Sequence, residues 1–251
     1  MRAVGQLVHS RTRLQRRYAL MPLEGFPLSR LPSWPKAEVR VLASPALGAQ
    51  FVQMLIDLPA GERGQFAVEK GVETFYFCLS GSGTVSETHA SPLPLSAGSF
   101  GLTRPGDEAI FASTDALRLL ILRKRFEPAP GSIMSKSIHS HESRVAKEAW
   151  ADNPHTLLQT LIPDDFAFDL AMNIFTFDPG FGLPIVETHV MEHGLFFLQG
   201  KGVYFLDGAW MEVEKDDFIW MGPYCPQSFY ATGPTPAKYL YFKNVNREIA
   251  L

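Results

Sequence analysis

Between Val186 and Gly194 the chain reads Val-Glu-Thr-His-Val-Met-Glu-His-Gly. Glu187, His189, Glu192 and His193 thus crowd into one short stretch of a sequence that contains seven histidines in all. Imidazole and carboxylate donors at this density usually hold a divalent metal ion. Which of them can reach one ion depends on whether the stretch is helix or strand.

On a helix, His189 and His193 would share a face. His-Val-Met-Glu-His also has the H-x-x-E-H spacing of the inverzincin zinc peptidases, with Glu192 as general base. Gly182 and Pro184 lie just upstream and Gly194 follows at once, so a helix here would have barely two turns. The aromatic run Leu195-Phe196-Phe197-Leu198 and the turn signal Gly200-Lys201-Gly202 point to a strand and hairpin. On a strand, Glu187, His189 and His193 share parity and Glu192 faces the other way. The expectation is therefore a strand carrying three donors.

The elements that must position them are short strands. The chain has 251 residues, with 46% hydrophobic and 20% charged residues, 19 Pro and 20 Gly. That is the composition of a globular protein rich in strands and turns. A net charge of −3 gives no general attraction to nucleic acid or anionic membrane. No stretch has the ~20 apolar residues of a membrane span. The start carries Arg2, Arg11, Arg13, Arg16 and Arg17 with no apolar run after them. It reads as a solvated terminal segment without a secretory signal. Two cysteines, Cys78 and Cys225, suit a reducing compartment, and the expected location is the cytoplasm.

Short apolar runs with turn signals between them fill Val39 to Arg125. A polar segment follows, and the strand pattern then resumes to the C-terminus. The halves repeat at an offset of 119. Thr74–Val85 parallels His193–Tyr204, Leu55–Gly61 echoes Ile174–Gly180, and Lys124 falls on Lys243. The expected organisation is an N-terminal domain over 1–130 that includes a lead-in, a linker over 131–154 and a C-terminal domain over 155–251. The repeat is an internal control. Glu187, His189, His193 and Gln227 fall on Val68, Lys70, Thr74 and Glu108, a set ill suited to a metal, so one site per chain is expected. His139 and His141 lie in the polar linker and read as surface residues, and Arg123-Lys124-Arg125 reads as a solvated strand end.

A fourth donor must come from elsewhere, and the strand-turn-strand unit over 216–227 ends in Gln227. Two imidazoles, a carboxylate and a carboxamide form a mixed N/O set suited to Mn²⁺, Fe²⁺ or Zn²⁺. Gly182-x₄-Glu187-x-His189-x₃-His193-x₆-Gly200 resembles the first metal motif of the cupin superfamily. Glu187 replaces its first His and His193 its Glu. Residues 216–227 resemble the second motif, with Gln227 in place of His. The Glu/His/His/Gln set in the second half of a bicupin resembles the (S)-ureidoglycine aminohydrolases. Leu47–Phe51, Gly71–Phe75, Glu187–Gly194, Gly202–Tyr204 and Phe218–Gly222 are similar to that family as well.

The resemblance implies an all-β chain of two tandem cupin jelly-roll barrels, with one Mn²⁺ in the C-terminal barrel bound by Glu187, His189, His193 and Gln227. It implies hydrolysis of (S)-ureidoglycine to (S)-ureidoglycolate and ammonia in purine and allantoin degradation. Glu187 would be the catalytic proton shuttle, with Glu187, Gln227, Tyr239, Lys243 and Tyr204 contacting the small-molecule substrate. Tyr239, Tyr241 and Lys243 share one strand face, and their counterparts at the same offset are Leu120, Leu122 and Lys124. The first barrel would serve assembly, so a homo-oligomer is expected. The alternatives are another cupin chemistry at the same metal, oxygenase or isomerase, or a non-catalytic small-ligand-binding bicupin.

Overall fold

The computed structural model describes residues 11–87, 91–132 and 136–245. Arg2, at the start of the Arg-rich segment, lies outside them. Among the described residues all regular structure is antiparallel strand, apart from 3-10 turns of three residues. No helix there is long and apolar enough to cross a membrane.

The chain divides into two compact units. One comprises the described residues up to Phe26 with 145–164 and 169–245, and the other comprises 27–144 with 165–168. In the first unit one sheet runs Arg13–Leu14, Tyr18–Met21, Phe218–Met221, His193–Gln199, Ala237–Asn244, Leu170–Phe177, Asn153–Thr160, Glu148–Trp150. A second sheet runs Ala209–Glu214, Lys201–Leu206, Gln227–Ala231. Alternation along these strands sends Phe175, Phe177, Leu195, Phe197 and Tyr239 from the large sheet against Tyr204, Leu206, Phe229 and Ala231 from the small one. Tight turns join them. Gly200 has φ +74°, and a Cβ there would stand 2.5 Å from the Pro236 carbonyl, so the turn admits only glycine without distortion.

The other unit repeats the core of this order, with seven strands in its large sheet and four in its small one. Its large sheet runs Ile138–His141, Ser99–Thr103, Val72–Ser80, Leu117–Arg125, Val52–Leu58, Trp34–Ala43, Ser29–Leu31. Its small sheet runs Arg63–Gln65, Ala109–Ser113, Ser82–Glu87, Leu93–Ser96.

The segments that read as lead-in and linker are built into these sheets. Tyr18–Met21 pairs with Phe218–Met221, and Arg11 pairs with buried Asp217 and with Glu214. The Arg-rich start is therefore tied down from Arg11 onward, because its cations meet acids of the C-terminal unit. Residues 131–154 carry strands at 138–141 and 148–150. His139 and His141 lie on the first of these, paired to Ser99–Thr103. Lys124 is not a solvated strand end. It is 5% exposed and its ammonium lies 4.0 Å from the buried Glu73 carboxylate.

The repeat's offset also drifts. Gly61 and Gly180, both at positive φ, mark an offset of 119. On the last strands, however, Arg123 pairs with Val52 where Lys243 pairs with Ala171. The counterpart of Lys243 is thus Arg123, and those of Tyr239 and Tyr241 are Leu119 and Ile121. Ala109 pairs with Glu87 where Gln227 pairs with Leu206, so Gln227 corresponds to Ala109 and not Glu108. Turns of unequal length shift the register by one residue each way, which letter matching at a constant offset cannot detect.

Asp217 is buried and accepts hydrogen bonds from Arg11 and from the Glu214 amide, the latter at 2.8 Å. Asp217→Ala leaves these donors unmet, and urea unfolding should show a loss of about 1–3 kcal/mol.

Candidate metal centre and substrate cavity

The donor stretch is a pinned loop that runs into a strand, and not the continuous strand expected. Glu187 forms an isolated bridge to Gln227, its N–H donating to the Gln227 carbonyl at 2.8 Å and its carbonyl accepting the Gln227 N–H at 2.9 Å. His189 sits in the loop, where its carbonyl accepts the Tyr224 N–H at 2.8 Å. Only His193 is on a strand, as the first residue of His193–Gln199. Upstream, Gly182 lies close against the strand that begins at Gln227. It bridges Tyr230, and a Cβ there would stand 2.1 Å from the Phe229 carbonyl. Pro184 then lacks the N–H that further pairing would require.

This folding brings His189, His193 and Gln227 together. The two imidazole Nε2 atoms are 3.2 Å apart, and the Gln227 side-chain amide nitrogen is 3.3 Å from His189 Nε2. His193 Nδ1 faces the Phe242 carbonyl at 3.0 Å. If it donates there, Nε2 keeps a bare lone pair aimed at the cluster. Glu187 lines the same cavity. Among the described residues no three His, Cys, Asp or Glu side chains form a metal-holding group by themselves, so Gln227 is needed to complete a set. Glu192 stands apart, as parity predicts. It is fully buried, and its carboxylate accepts Trp220 Nε1–H at 3.2 Å and Asn244 Nδ2–H at 3.1 Å.

The donors fit a divalent ion. Neighbouring ligands at about 2.0–2.1 Å from one ion stand roughly 3.0–3.4 Å apart, which brackets the imidazole separation. Burial, the facing His189 ring and Lys243 push His193 down to about 3. Burial and Lys243 lower His189. Both imidazoles are thus held neutral, the form that ligates. Gln227 currently gives its amide oxygen to the Tyr204 hydroxyl at 2.9 Å. To offer that oxygen to an ion the amide must turn over, and Tyr204 would then accept from its nitrogen.

The cavity above these groups has a volume of about 90 Å³, room for a small molecule and not for a polymer. Tyr204, Tyr239, Tyr241 and Lys243 supply its polar wall, and Trp150, Phe175 and Leu183 part of its apolar one. Burial raises the Tyr204 and Tyr239 hydroxyls well above the ordinary phenol value, so both stay protonated donors. Glu187 is raised by burial, with Lys243 opposing. Trp150, Phe175 and Leu183 are contributions that the sequence did not single out, since apolar residues on strands carry no chemical signature.

At the corresponding positions of the other unit, Val68 and Lys70 are exposed and Thr74 is buried. Trp34 fills the core there, its ring 5.2 Å from Phe66 and 5.7 Å from Phe111. His139 meets the Tyr76 hydroxyl at 2.8 Å, and His141 meets Ser143 and the Ala97 carbonyl. These imidazoles are structural. Cys225 is buried, and burial pushes its thiol up to about 11, so it is unreactive at neutral pH.

Two measurements test the centre. Replacing either His189 or His193 by Ala should weaken divalent-ion binding, read by calorimetry, at least about 100-fold, the upper end even for loss of an outer-shell partner. The second follows from His193, whose value is depressed in the fold. Below about pH 6.5 the unfolded chain takes up this proton first. In chelator, stability should therefore fall by about 1.4 kcal/mol per pH unit from there toward pH 3 through this group. Denaturant titrations of His193→Asn should lack that component.

Residues 173–243 match the Cupin domain family. An (S)-ureidoglycine aminohydrolase of Escherichia coli is 31% identical over 239 residues, 93% of this chain and 90% of that protein. A probable (S)-ureidoglycine aminohydrolase of Oryza sativa is 31% identical over 95% of this chain and 76% of its own. The crystal structure of protein Ylba from E. coli matches with a TM-score of 0.86 at 28% identity, covering 98% of both chains. An oxalate decarboxylase at 8% identity and a TM-score of 0.72 shares the fold alone. With identity spread over 93% of its length, and with an all-β cupin fold, this chain belongs to the (S)-ureidoglycine aminohydrolase family.

Proposed function

We propose that this chain hydrolyses (S)-ureidoglycine to (S)-ureidoglycolate and ammonia in purine degradation, using one Mn²⁺ held by Glu187, His189, His193 and Gln227. The observation that carries the reading is the meeting of His193 and Gln227 at His189, 3.2 and 3.3 Å from its Nε2, in a phenol-lined cavity that also holds Glu187 and Lys243. When bound, Mn²⁺ supplies charge that polarises and orients a small anionic substrate.

The chain's own residues account for the rest. The Lys243 ammonium pairs with the substrate carboxylate as a compact point charge. Tyr239 and Tyr204, kept protonated by burial, donate hydrogen bonds to it. In the reaction water's oxygen bonds to the carbon, the carbon–nitrogen bond breaks, and a proton of the water leaves with the amine as ammonia. Glu187 is the group suited to moving that proton. Burial raises its affinity for a proton while Lys243 keeps the anion accessible. The apolar wall at Trp150, Phe175 and Leu183 limits bulk water around the reacting carbon.

The parallel strand orders support a bicupin in which the N-terminal barrel, filled by Trp34, is structural. We take the working form to be a cytoplasmic homo-oligomer that binds neither nucleic acid nor membrane. Its negative net charge agrees with that.

Ammonia release from freshly generated ureidoglycine should be lost on chelation and return with Mn²⁺. Release no faster than the spontaneous rate in Mn²⁺-loaded protein would refute the assignment. Glu187→Gln should lower kcat by about 100-fold or more, in the usual range for a proton-transfer group. Lys243→Met should act mainly on KM.

A further inference from the structure

Tyr241 lines the cavity, yet it is neither in the ligand set nor among the substrate contacts assigned above. Its hydroxyl accepts a hydrogen bond from Asn173 Nδ2 at 3.0 Å, and the two residues are cross-strand partners. Asn173 is 8% exposed and its Oδ1 is buried without a hydrogen-bond partner. An unmet buried amide oxygen is costly, so packing does not explain an asparagine here. The other unit shows what packing selects. The equivalent cross-strand pair is Met54 and Ile121, both buried in the apolar core. A hydrogen-bonded polar pair thus stands at the cavity where the other unit has an apolar one.

The direction of the bond matters. A phenol oxygen that accepts from an amide keeps its own hydrogen for another acceptor. On its cavity side Tyr241 has the His193 ring at 5.8 Å and the Tyr239 ring at 6.0 Å. Tyr241 and Lys243 are alternate residues of one strand, so they stand about 6.8 Å apart along it. That is a backbone spacing, and with both side chains lining the cavity it lets their polar groups meet opposite ends of a short molecule, a carboxylate at one and a urea carbonyl at the other. We propose that Tyr241, oriented by Asn173, donates its hydroxyl hydrogen to the ureido carbonyl oxygen while Lys243 takes the carboxylate. Asn173 is then a positioning residue that acts through Tyr241. The inference rests on the substrate proposed above.

A double-mutant cycle with (S)-ureidoglycine tests it, with melting temperature and Mn²⁺ affinity measured on each variant. Tyr241→Phe should raise KM about 3- to 10-fold, the worth of one neutral hydrogen bond, and change kcat less than about 2-fold. Asn173→Met, which recreates the first-unit residue, should raise KM similarly in the wild-type background and hardly at all once residue 241 is Phe. Asn173→Ser serves the same purpose if the Met variant does not fold. An unchanged KM in Tyr241→Phe, beside a wild type that turns over, overturns this inference alone. Independent, additive effects of the two substitutions overturn the role given to Asn173. A wild type that releases no ammonia overturns the substrate assignment and this inference with it.

Discussion

The centre depends on two backbone hydrogen bonds, those between Glu187 and Gln227. They tie the loop to the first residue of a strand 40 positions later, beside the bridge from Gly182 to Tyr230 and the bond from the Tyr224 N–H to the His189 carbonyl. His189, two residues on, is thereby carried to His193 and Gln227. A side chain on a free loop loses conformational entropy when it ligates. Here the backbone is already fixed, so the donors are preorganised. Both ends of the arrangement are anchored on strands, at Gln227 and at His193, and only Glu187 and His189 lie on the loop between.

A polar cavity inside a two-sheet core has to be created against close packing. The two halves of the chain show opposite solutions on one strand plan. In the N-terminal unit Trp34 and its ring neighbours fill the middle, and Gly64 leaves room for them, since a Cβ there would stand 2.1 Å from the Trp34 ring. In the C-terminal unit Leu119 and Ile121 become Tyr239 and Tyr241, and Met54 becomes Asn173. Tyr204 bonds to Tyr239 and to Gln227, while Tyr241 accepts from Asn173 and keeps its own hydrogen.

The buried acids behind the strands carry the same lesson. Glu73 and Glu192 occupy equivalent places. Glu73 lies against Lys124, a buried pair whose attraction opposes the desolvation of both charges. At Glu192 the lysine position is Asn244, and neutral donors from Asn244 and Trp220 hold the carboxylate. The cation of the second unit is one residue earlier, at Lys243, on the face that looks into the cavity. One step along a strand reverses the face. The same kind of side chain is therefore structural ballast in one half and a substrate-binding candidate in the other.

The sequence by itself determined the all-β class and the repeat, and it singled out Glu187, His189, His193 and Gln227, which the fold gathers at one cavity. Those features rest on residue types, turn glycines and local periodicity, which are properties of neighbouring residues. Parity even removed Glu192 from the ligand set, although the stretch is not a strand. Tertiary structure alone decided the loop at 187–190, the anchoring of Arg11 to Asp217, the burial of Lys124 and the true counterparts of Gln227 and Lys243. It also decided which residues wall the cavity. Each of these depends on strand register or on contacts between residues far apart in the chain. A turn one residue longer or shorter changes such contacts without altering any local pattern that can be read in the letters.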